Sequence, residues 1–306
     1  MKKACLVVFS ISIIFLLQSQ AQLRAQLTID RYQDTLIQLQ KDLYSSKEEY
    51  KRSAISGKMI SILRNALTLE ESFNYGFDSL KEIGHLASAD HFFNLFTWDV
   101  RHTDGTYDYY GLIQLKSINH QPCKVYTLVD KSSEVRNPET MVGDPSKWFG
   151  MVYYKIIPFK FHRKKYYALL GWDGNDKLTS KKIIDVVTFQ SRDNLPKFGA
   201  DVFVLERKTV KRVIFEYGAQ AVMSLKYEEE NKRIVFDHLS PSQPKFEGQF
   251  QYYGPDFSFD CLKLKEGKWQ YQADIDARNK VSGNEGKYNN PKEKKAYDNK
   301  QFYQTH

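Results

Sequence analysis

The segment with the clearest potential for chemistry is Trp-Asp-Gly-Asn-Asp at residues 172–176. Asp173, Asn175 and Asp176 offer three hard oxygen donors, and calcium loops place such oxygens at alternate positions. Lys177 follows, and no acidic residue stands where a calcium loop would be completed. Asp-Gly-Asn-Asp is also favourable turn chemistry. We therefore favour a turn over a calcium site.

A second cluster of polar residues lies in the first predicted hairpin and comprises Asp99, His102, Asp104 and Asp108. Alternation along a strand puts Asp99 on one face and His102 on the other, so they form no ready acid and base pair. Two carboxylates at the mouth of a sheet support glycoside hydrolysis, and Asp99, Asp104 and Asp173 are the candidates. Exposed acids in hairpins are common, which favours a structural interpretation.

Tyrosines occur in adjacent pairs at 109/110, 153/154, 166/167 and 252/253. Neighbouring strand residues face opposite sides, so each pair predicts one ring in the core and one outside. Outward rings stack on sugars or anchor a protein partner, whereas cross-strand packing explains them equally well. The candidate binding residues are Trp172, Asp173, Asn175, Asp176, Tyr109 and Tyr154.

The sequence lacks the recognised catalytic motifs, including H-E-x-x-H, G-x-S-x-G, the P-loop and the Rossmann fingerprint. Cys123 and Cys261 stand in no local nucleophile signature. These absences favour a protein that is not an enzyme, and they predict no cofactor and no metal. A catalytic triad dispersed along the sequence stays open as an alternative.

The elements that would position these residues are strands. Residues 148–189 contain three runs rich in aromatic and β-branched residues, separated by a basic turn and a longer loop. Similar runs flank Asp104-Gly105, a strong hairpin signal. About twelve strands joined by short turns predict a mainly β fold, an antiparallel meander forming a sandwich or a barrel-like sheet. The sixteen-residue loop 132–147 is expected to shape one rim.

A helical hairpin is predicted before the sheet. Apolar residues recur at steps of three and four from Ile29 to Leu43, which places them on one helix face. Ser46 and Glu49 match a capping box, so a second helix is expected to begin there and run toward Leu67. Such a pair needs another surface to cover its apolar face.

The two ends of the chain differ from its middle. Met-Lys-Lys, an apolar run from Ala4 to Leu17 and Ser19-Gln20-Ala21 predict a cleaved secretory signal. The apolar run is too short to span a membrane. Low hydrophobicity with net charge predicts a flexible tail. The predicted organisation is signal peptide 1–21, helical region 22–90, antiparallel β domain 91–275 and polar tail 276–306.

Charge and cysteine content give weaker constraints. The formal charge is +8, and removal of Lys2 and Lys3 leaves +6. The scattered basic residues are compatible with binding to an anionic surface, but basic residues more commonly form an ordinary solvated surface of the protein. Export permits a bridge between Cys123 and Cys261. Their places in or beside predicted strands favour two buried thiols instead.

The chain resembles an uncharacterised family of exported bacterial envelope proteins to which no activity is assigned. The resemblance covers most of the chain after Phe92, and its most specific part is the Trp-Asp-Gly-Asn segment. It rests on FTWDV with DGTYDYYGLIQ, on YYALLGWDGN with KKIIDVVTF, on SLKY with RIVFDHLSP, and on YYGPDFSFD with GKW. It implies a location in the envelope and no particular ligand.

The sequence thus predicts an exported protein, periplasmic or associated with the outer membrane, that serves as a non-enzymatic binding or assembly module for an envelope protein or a glycan. Its partners are expected to include no nucleic acid, and no transmembrane span is expected after signal cleavage. The alternative is an exported hydrolase that acts on polysaccharide.

Overall fold

The computed structural model describes residues 28–119, 121–190 and 192–275, so the predicted signal peptide and tail lie outside the described residues. Two helices precede fifteen strands in this part of the chain. The helices are α1, 28–45, and α2, Glu49–Leu67. The strands are β1 Gly84–Ala87, β2 Phe93–Arg101, β3 Tyr107–Leu115, β4 Lys124–Val129, β5 Val152–Phe161, β6 Lys164–Asp173, β7 Thr179–Phe189, β8 Pro196–Phe198, β9 Phe203–Val204, β10 Thr209–Val210, β11 Val213–Gly218, β12 Leu225–Glu228, β13 Arg233–Pro241, β14 Tyr253–Lys265 and β15 Lys268–Gln272. The predicted mainly β fold with an N-terminal helical hairpin is confirmed.

The strands form three sheets. The first sheet has the order β1-β2-β3-β4, and the middle sheet has the order β11-β7-β6-β5 with β8 beside β7. The last sheet has the order β10-β9-β15-β14-β13-β12. The pairings are antiparallel except for the short contact between β15 and β9, which is parallel. The meander therefore divides into stacked sheets, as in a sandwich with one additional layer.

The first sheet is covered on both faces. Phe93 and Leu95 of β2 belong to a core shared with the middle sheet. Phe96 and Trp98 of the same strand belong to a core that includes apolar residues of the helices, such as Leu63. Successive strand residues point to opposite faces, so this apolar strand supplies both cores. The first sheet thus supplies the surface that the apolar face of the helices was predicted to need.

The middle sheet is covered on both faces as well. Leu169 faces the core shared with the first sheet, and its neighbour Leu170 faces the core shared with the last sheet. Strands buried on both faces read as continuous apolar runs, which accounts for the KKIIDVVTF sequence of β7. Tyr166 and Tyr167 likewise pack into the two different cores. The expectation of one solvent-facing ring is wrong for this pair, because the outer face of this sheet is another interior.

The predicted capping box does not form. The helix α2 has Glu48 at its N-cap with no side-chain cap, while the Ser46 N–H bonds the Asp42 carbonyl of the preceding helix. The Glu49 carboxylate instead accepts hydrogen bonds from the N–H and hydroxyl of Thr103. A tertiary contact with the first hairpin has displaced the local motif.

Three further findings concern the predicted organisation. The first strand, Gly84–Ala87, lies within the region 22–90 that was predicted to be helical, and it pairs with β2. Cys123 and Cys261 are buried free thiols, as favoured from the sequence. In the described part of the chain, no helix combines the length and the apolar character that crossing a membrane requires.

Candidate functional site

A cleft of about 920 Å³ opens where the first and middle sheets meet. One wall comes from β3, a second from the loop that follows β4, and a third from the turn that joins β6 to β7. Its aromatic and polar lining includes Tyr107, Asp108, Tyr109, Arg136, Asp173, Asn175 and Lys181. Five residues of the long loop 132–147 also line it, so this loop shapes a rim as expected.

A buried carboxylate lies at the centre of this lining. Asp173 is 5% exposed, and its Oδ1 accepts a hydrogen bond of 2.7 Å from the Tyr109 hydroxyl and another of 2.7 Å from the Asn175 N–H. The Gly174 N–H donates in turn to the Tyr109 oxygen at 2.8 Å. Burial raises the pKa of Asp173, and the hydrogen bond from Tyr109 opposes part of that shift. Burial also raises the pKa of Tyr109.

A lysine and an amide complete the network. Lys181 Nζ donates to Asn175 Oδ1 at 2.6 Å and lies 3.9 Å from Asp173 Oδ2. Asn175 Nδ2 donates to Thr179 Oγ1 at 2.6 Å and to Asp176 Oδ2 at 3.2 Å. The pairing of β6 with β7 sets Asp173 directly opposite Lys181, which accounts for their proximity. The Lys181 side chain is 19% exposed.

The oxygens that suggested calcium already have protein donors. Asp176 Oδ1 accepts the N–H groups of Leu178 and Thr179, which is the behaviour of a turn residue. Lys181 holds the Asn175 oxygen, so a cation of the protein already lies beside the cluster. Within residues 28–119, 121–190 and 192–275, no group of three or more His, Cys, Asp and Glu residues is placed to hold a metal ion.

Aromatic rings enclose the turn. The rings of Tyr107 and Tyr109 stack with centroids 6.2 Å apart, and the edge of Trp172 meets Tyr107 at 5.7 Å. A Cβ at position 174 would lie 2.4 Å from the Tyr107 ring, so glycine is required for this close approach. The sequence Asp-Gly-Asn therefore serves packing as well as turn formation.

A buried ion pair holds the loop rim from behind. Arg212 Nη2 donates to Asp185 Oδ2 at 2.9 Å, and both side chains are 0% exposed. Arg212 Nη1 donates to the carbonyl of Pro138, a residue of the rim, at 2.8 Å. The Tyr153 hydroxyl donates to the same Asp185 oxygen at 3.0 Å. The guanidinium also lies 5.1 Å from the centroid of Phe149, which lines the cleft.

The structure brings together three of the six candidate binding residues, Tyr109, Asp173 and Asn175. Trp172 packs beside Tyr107 but lies outside the lining, since alternation along β6 turns it to the opposite face from Asp173. Asp176 is not part of the lining and stabilises the turn through hydrogen bonds from backbone N–H groups. Tyr154 lies elsewhere, where its hydroxyl donates to the Leu225 carbonyl.

The three candidate acids for hydrolysis do not converge. Asp99 stands opposite Tyr109 in the register of β2 and β3, but it is not part of the cleft lining. Asp104 is exposed in the hairpin turn, where it accepts the N–H and hydroxyl of Thr106. Asp173 is the one of these acids that lines the cleft.

Among the residues that line the cleft, Tyr107, Arg136 and Lys181 were not candidates from the sequence, and Asp108 was noted only as a member of the polar cluster in the first hairpin. A signal existed for Tyr107, because residues two apart on a strand share a face and Tyr109 was already a candidate. Nothing local marks Arg136 or Lys181, because their proximity depends on how the loop and the two sheets meet.

Comparison with known proteins identifies no relative of this chain. No family model matches the chain, and neither the curated proteins nor the solved structures contain a significant match. The resemblance to envelope proteins stays a prediction, and the geometry of the cleft carries the functional argument.

Proposed function

We propose that this chain is an exported envelope protein that binds a glycan in the cleft without catalysis. The observation that carries the proposal is the combination of the Tyr107 ring with hydrogen-bonding groups of several kinds around one open cavity. Sugar rings present an apolar face to aromatic side chains and hydroxyls to polar ones. A lining of this composition meets both needs.

The size and chemistry of the cleft support a glycan over a protein partner. Ligand pockets commonly measure about 300–1,000 Å³, and the volume of about 920 Å³ lies in that range. Asp108 supplies a partly exposed carboxylate and Arg136 an exposed guanidinium, so both acceptors and donors reach the opening. The Arg212 network fixes the rim, and a rigid rim lowers the entropic cost of binding.

The test is a titration of the purified chain, without residues 1–21, with each member of a panel of bacterial envelope oligosaccharides. Calorimetry measures the binding. The variant Tyr107→Ala should weaken binding about tenfold, because it removes the stacking surface. Tyr154→Ala is the matched control, since that ring is partly exposed but lies outside the cleft. Absence of binding to every oligosaccharide, or equal loss in both variants, would contradict the proposal.

Polysaccharide hydrolysis is the second candidate, and one observation favours it. Asp173 lines the cleft, and burial raises its pKa, as a general acid requires. Asp108 lines the same cleft and supplies a second carboxylate.

Release of reducing ends from the bound oligosaccharides distinguishes the two candidates. Hydrolysis requires turnover that Asp173→Asn abolishes while binding persists. Binding without turnover in the unmodified chain supports the non-enzymatic proposal.

A further inference from the structure

We propose that Lys181 and Asn175 become joined by an intramolecular amide bond, with Asp173 as the group that moves the proton. The inference does not depend on a glycan ligand, since it concerns only the wall of the cleft. It rests on four features of the network: the contact between amine and amide, the neighbouring buried acid, the position of the leaving nitrogen, and the aromatic cover on one side.

The nucleophile already contacts the side-chain amide that contains the electrophilic carbon. Lys181 Nζ lies 2.6 Å from Asn175 Oδ1, so the side-chain carbonyl carbon is one bond further away. Holding reactants at near-attack distance supplies a large part of the acceleration of intramolecular reactions. The antiparallel pairing of β6 and β7 fixes both ends of the connecting turn, which keeps the two side chains together.

A buried acid stands beside the amine. Asp173 Oδ2 is 3.9 Å from Lys181 Nζ, while the other oxygen is held by Tyr109 and by the Asn175 N–H. This arrangement leaves Oδ2 directed toward the lysine. Burial raises the pKa of Asp173, so its carboxylate can take up the lysine proton more readily than an exposed aspartate.

The nitrogen that must leave is also positioned. Asn175 Nδ2 donates to Thr179 Oγ1, whose hydroxyl donates to Glu216 Oε1 at 2.7 Å. It also donates to Asp176 Oδ2. These contacts orient the amide so that its carbonyl faces the lysine, and they place carboxylates near the departing ammonia.

Aromatic side chains cover one side of the network, and its other side opens to the cleft. Tyr107 and Trp172 pack against the Gly174 backbone, and Tyr109 covers Asp173. Exclusion of water on the covered side strengthens the electrostatic interactions there. The network thus combines an amine, an amide and a buried acid.

The atoms balance without any further reactant. The lysine ammonium gives a proton to Asp173, and the free amine attacks the Asn175 side-chain carbonyl carbon to form a C–N bond. The tetrahedral intermediate collapses with cleavage of the bond to Nδ2, which receives the proton from Asp173. The products are a secondary amide and ammonia, which leaves as ammonium after taking the second lysine proton.

Peptide mapping of the purified full chain tests the proposal. Trypsin cleaves after Lys177, so an unlinked protein yields a free peptide 166–177. The bond instead joins this peptide to 178–182, because the modified Lys181 is no longer cleaved. The expected result is a branched species lighter by one ammonia than its two parts, with little free 166–177.

Three variants assign the roles. Lys181→Arg should abolish the branched species, and Asp173→Asn should abolish or greatly reduce it. Lys182→Arg is the matched control and should retain it, since neighbouring strand residues face opposite sides. Free peptide 166–177 as the main product of the unmodified chain overturns the proposal. Retention of the bond in Asp173→Asn overturns the role of Asp173.

Discussion

Two pairs of an acidic and a basic side chain lie on the same face of the strand β7 and differ in burial and in the distance between the charged groups. Asp185 of that strand pairs with Arg212 at 2.9 Å, and both side chains are fully buried. Lys181, four residues earlier, lies 3.9 Å from Asp173 and borders the cleft. The first pair is enclosed by protein, whereas the second has one side open to the cavity.

The two pairs differ in burial and in the number of hydrogen bonds that each carboxylate accepts. Asp185 accepts from Arg212, from the Tyr153 hydroxyl and from the Val186 N–H, and Arg212 also donates to the Pro138 carbonyl. A buried pair with several hydrogen bonds is a structural support whose disruption leaves an uncompensated charge. In the looser pair, Asp173 Oδ2 lies 3.9 Å from Lys181 Nζ, and both residues border the cleft. The proposed amide bond therefore involves the more open of the two pairs.

Arg212→Met should give the largest effect, because it leaves Asp185 buried without its cation. We expect a loss of about 3–5 kcal/mol in the free energy of unfolding. Denaturant unfolding followed by circular dichroism measures it.

The control for that variant is Lys197→Met. Like Arg212, Lys197 contacts the loop 132–147, and the substitution removes that contact. Lys197 pairs with Asp144 at 3.1 Å, but both side chains are about a third exposed. Its loss should cost about 1 kcal/mol or less. Equal losses from the two substitutions would contradict the distinction between a buried anchor and a solvated one.

Tyr109→Phe should give an intermediate effect at the looser pair. It removes the hydrogen bond to Asp173 and leaves the Gly174 N–H without its acceptor, which should cost about 1–2 kcal/mol. The pKa of Asp173 should rise further, because the lost hydrogen bond lowers it. Carboxyl NMR titration of the variant and the parent measures this change.

Tyr110→Phe provides the control on the adjacent position. The Tyr110 hydroxyl makes a long contact of 3.5 Å with Asp108, so loss of this contact should change stability by less than about 0.5 kcal/mol. An unchanged pKa of Asp173 in Tyr109→Phe would show that the tyrosine does not hold this carboxyl.

The smallest effect is expected at a third, more exposed pair, where His238 Nδ1 lies 2.8 Å from Asp260 Oδ2. That hydrogen bond raises the pKa of His238, with added contributions from Asp256 and Asp274. A histidine with a raised folded pKa contributes stability that is present below its unfolded pKa and is lost as pH rises through the folded value. Solvent screens this side chain, which is 45% exposed, so about 0.5 kcal/mol or less is expected.

The measurement is the difference in unfolding free energy between the parent and His238→Gln from about pH 5 to about pH 9. The difference should shrink as pH rises. A constant difference across this range would show that the histidine contributes by packing and not by charge.

Local patterns of the sequence predicted much of the fold. The runs at 148–189 became β5, β6 and β7, and the apolar spacing after Ile29 became a helix. Turn chemistry at Asp173-Gly174 also formed as expected. These predictions succeed because side-chain periodicity and backbone preference act over a few residues.

Features that depend on distant partners could not be found in this way. Glu49 left its predicted capping role because Thr103 offered a bond from another element. The ring of Tyr166 entered a core because the last sheet covers the middle one. Each outcome depends on which distant element packs against the residue. A local sequence pattern does not contain that information.

The sequence by itself determined the types of element, the hairpin turn at Asp173 and the residue types available for chemistry. The tertiary structure alone decided that Arg136 and Tyr109 share a cleft, that Lys181 meets Asn175, and that Arg212 is buried beside the rim. The physical reason is that periodicity fixes the direction of a side chain relative to its own strand. Stacking of three sheets then fixes what that side chain meets.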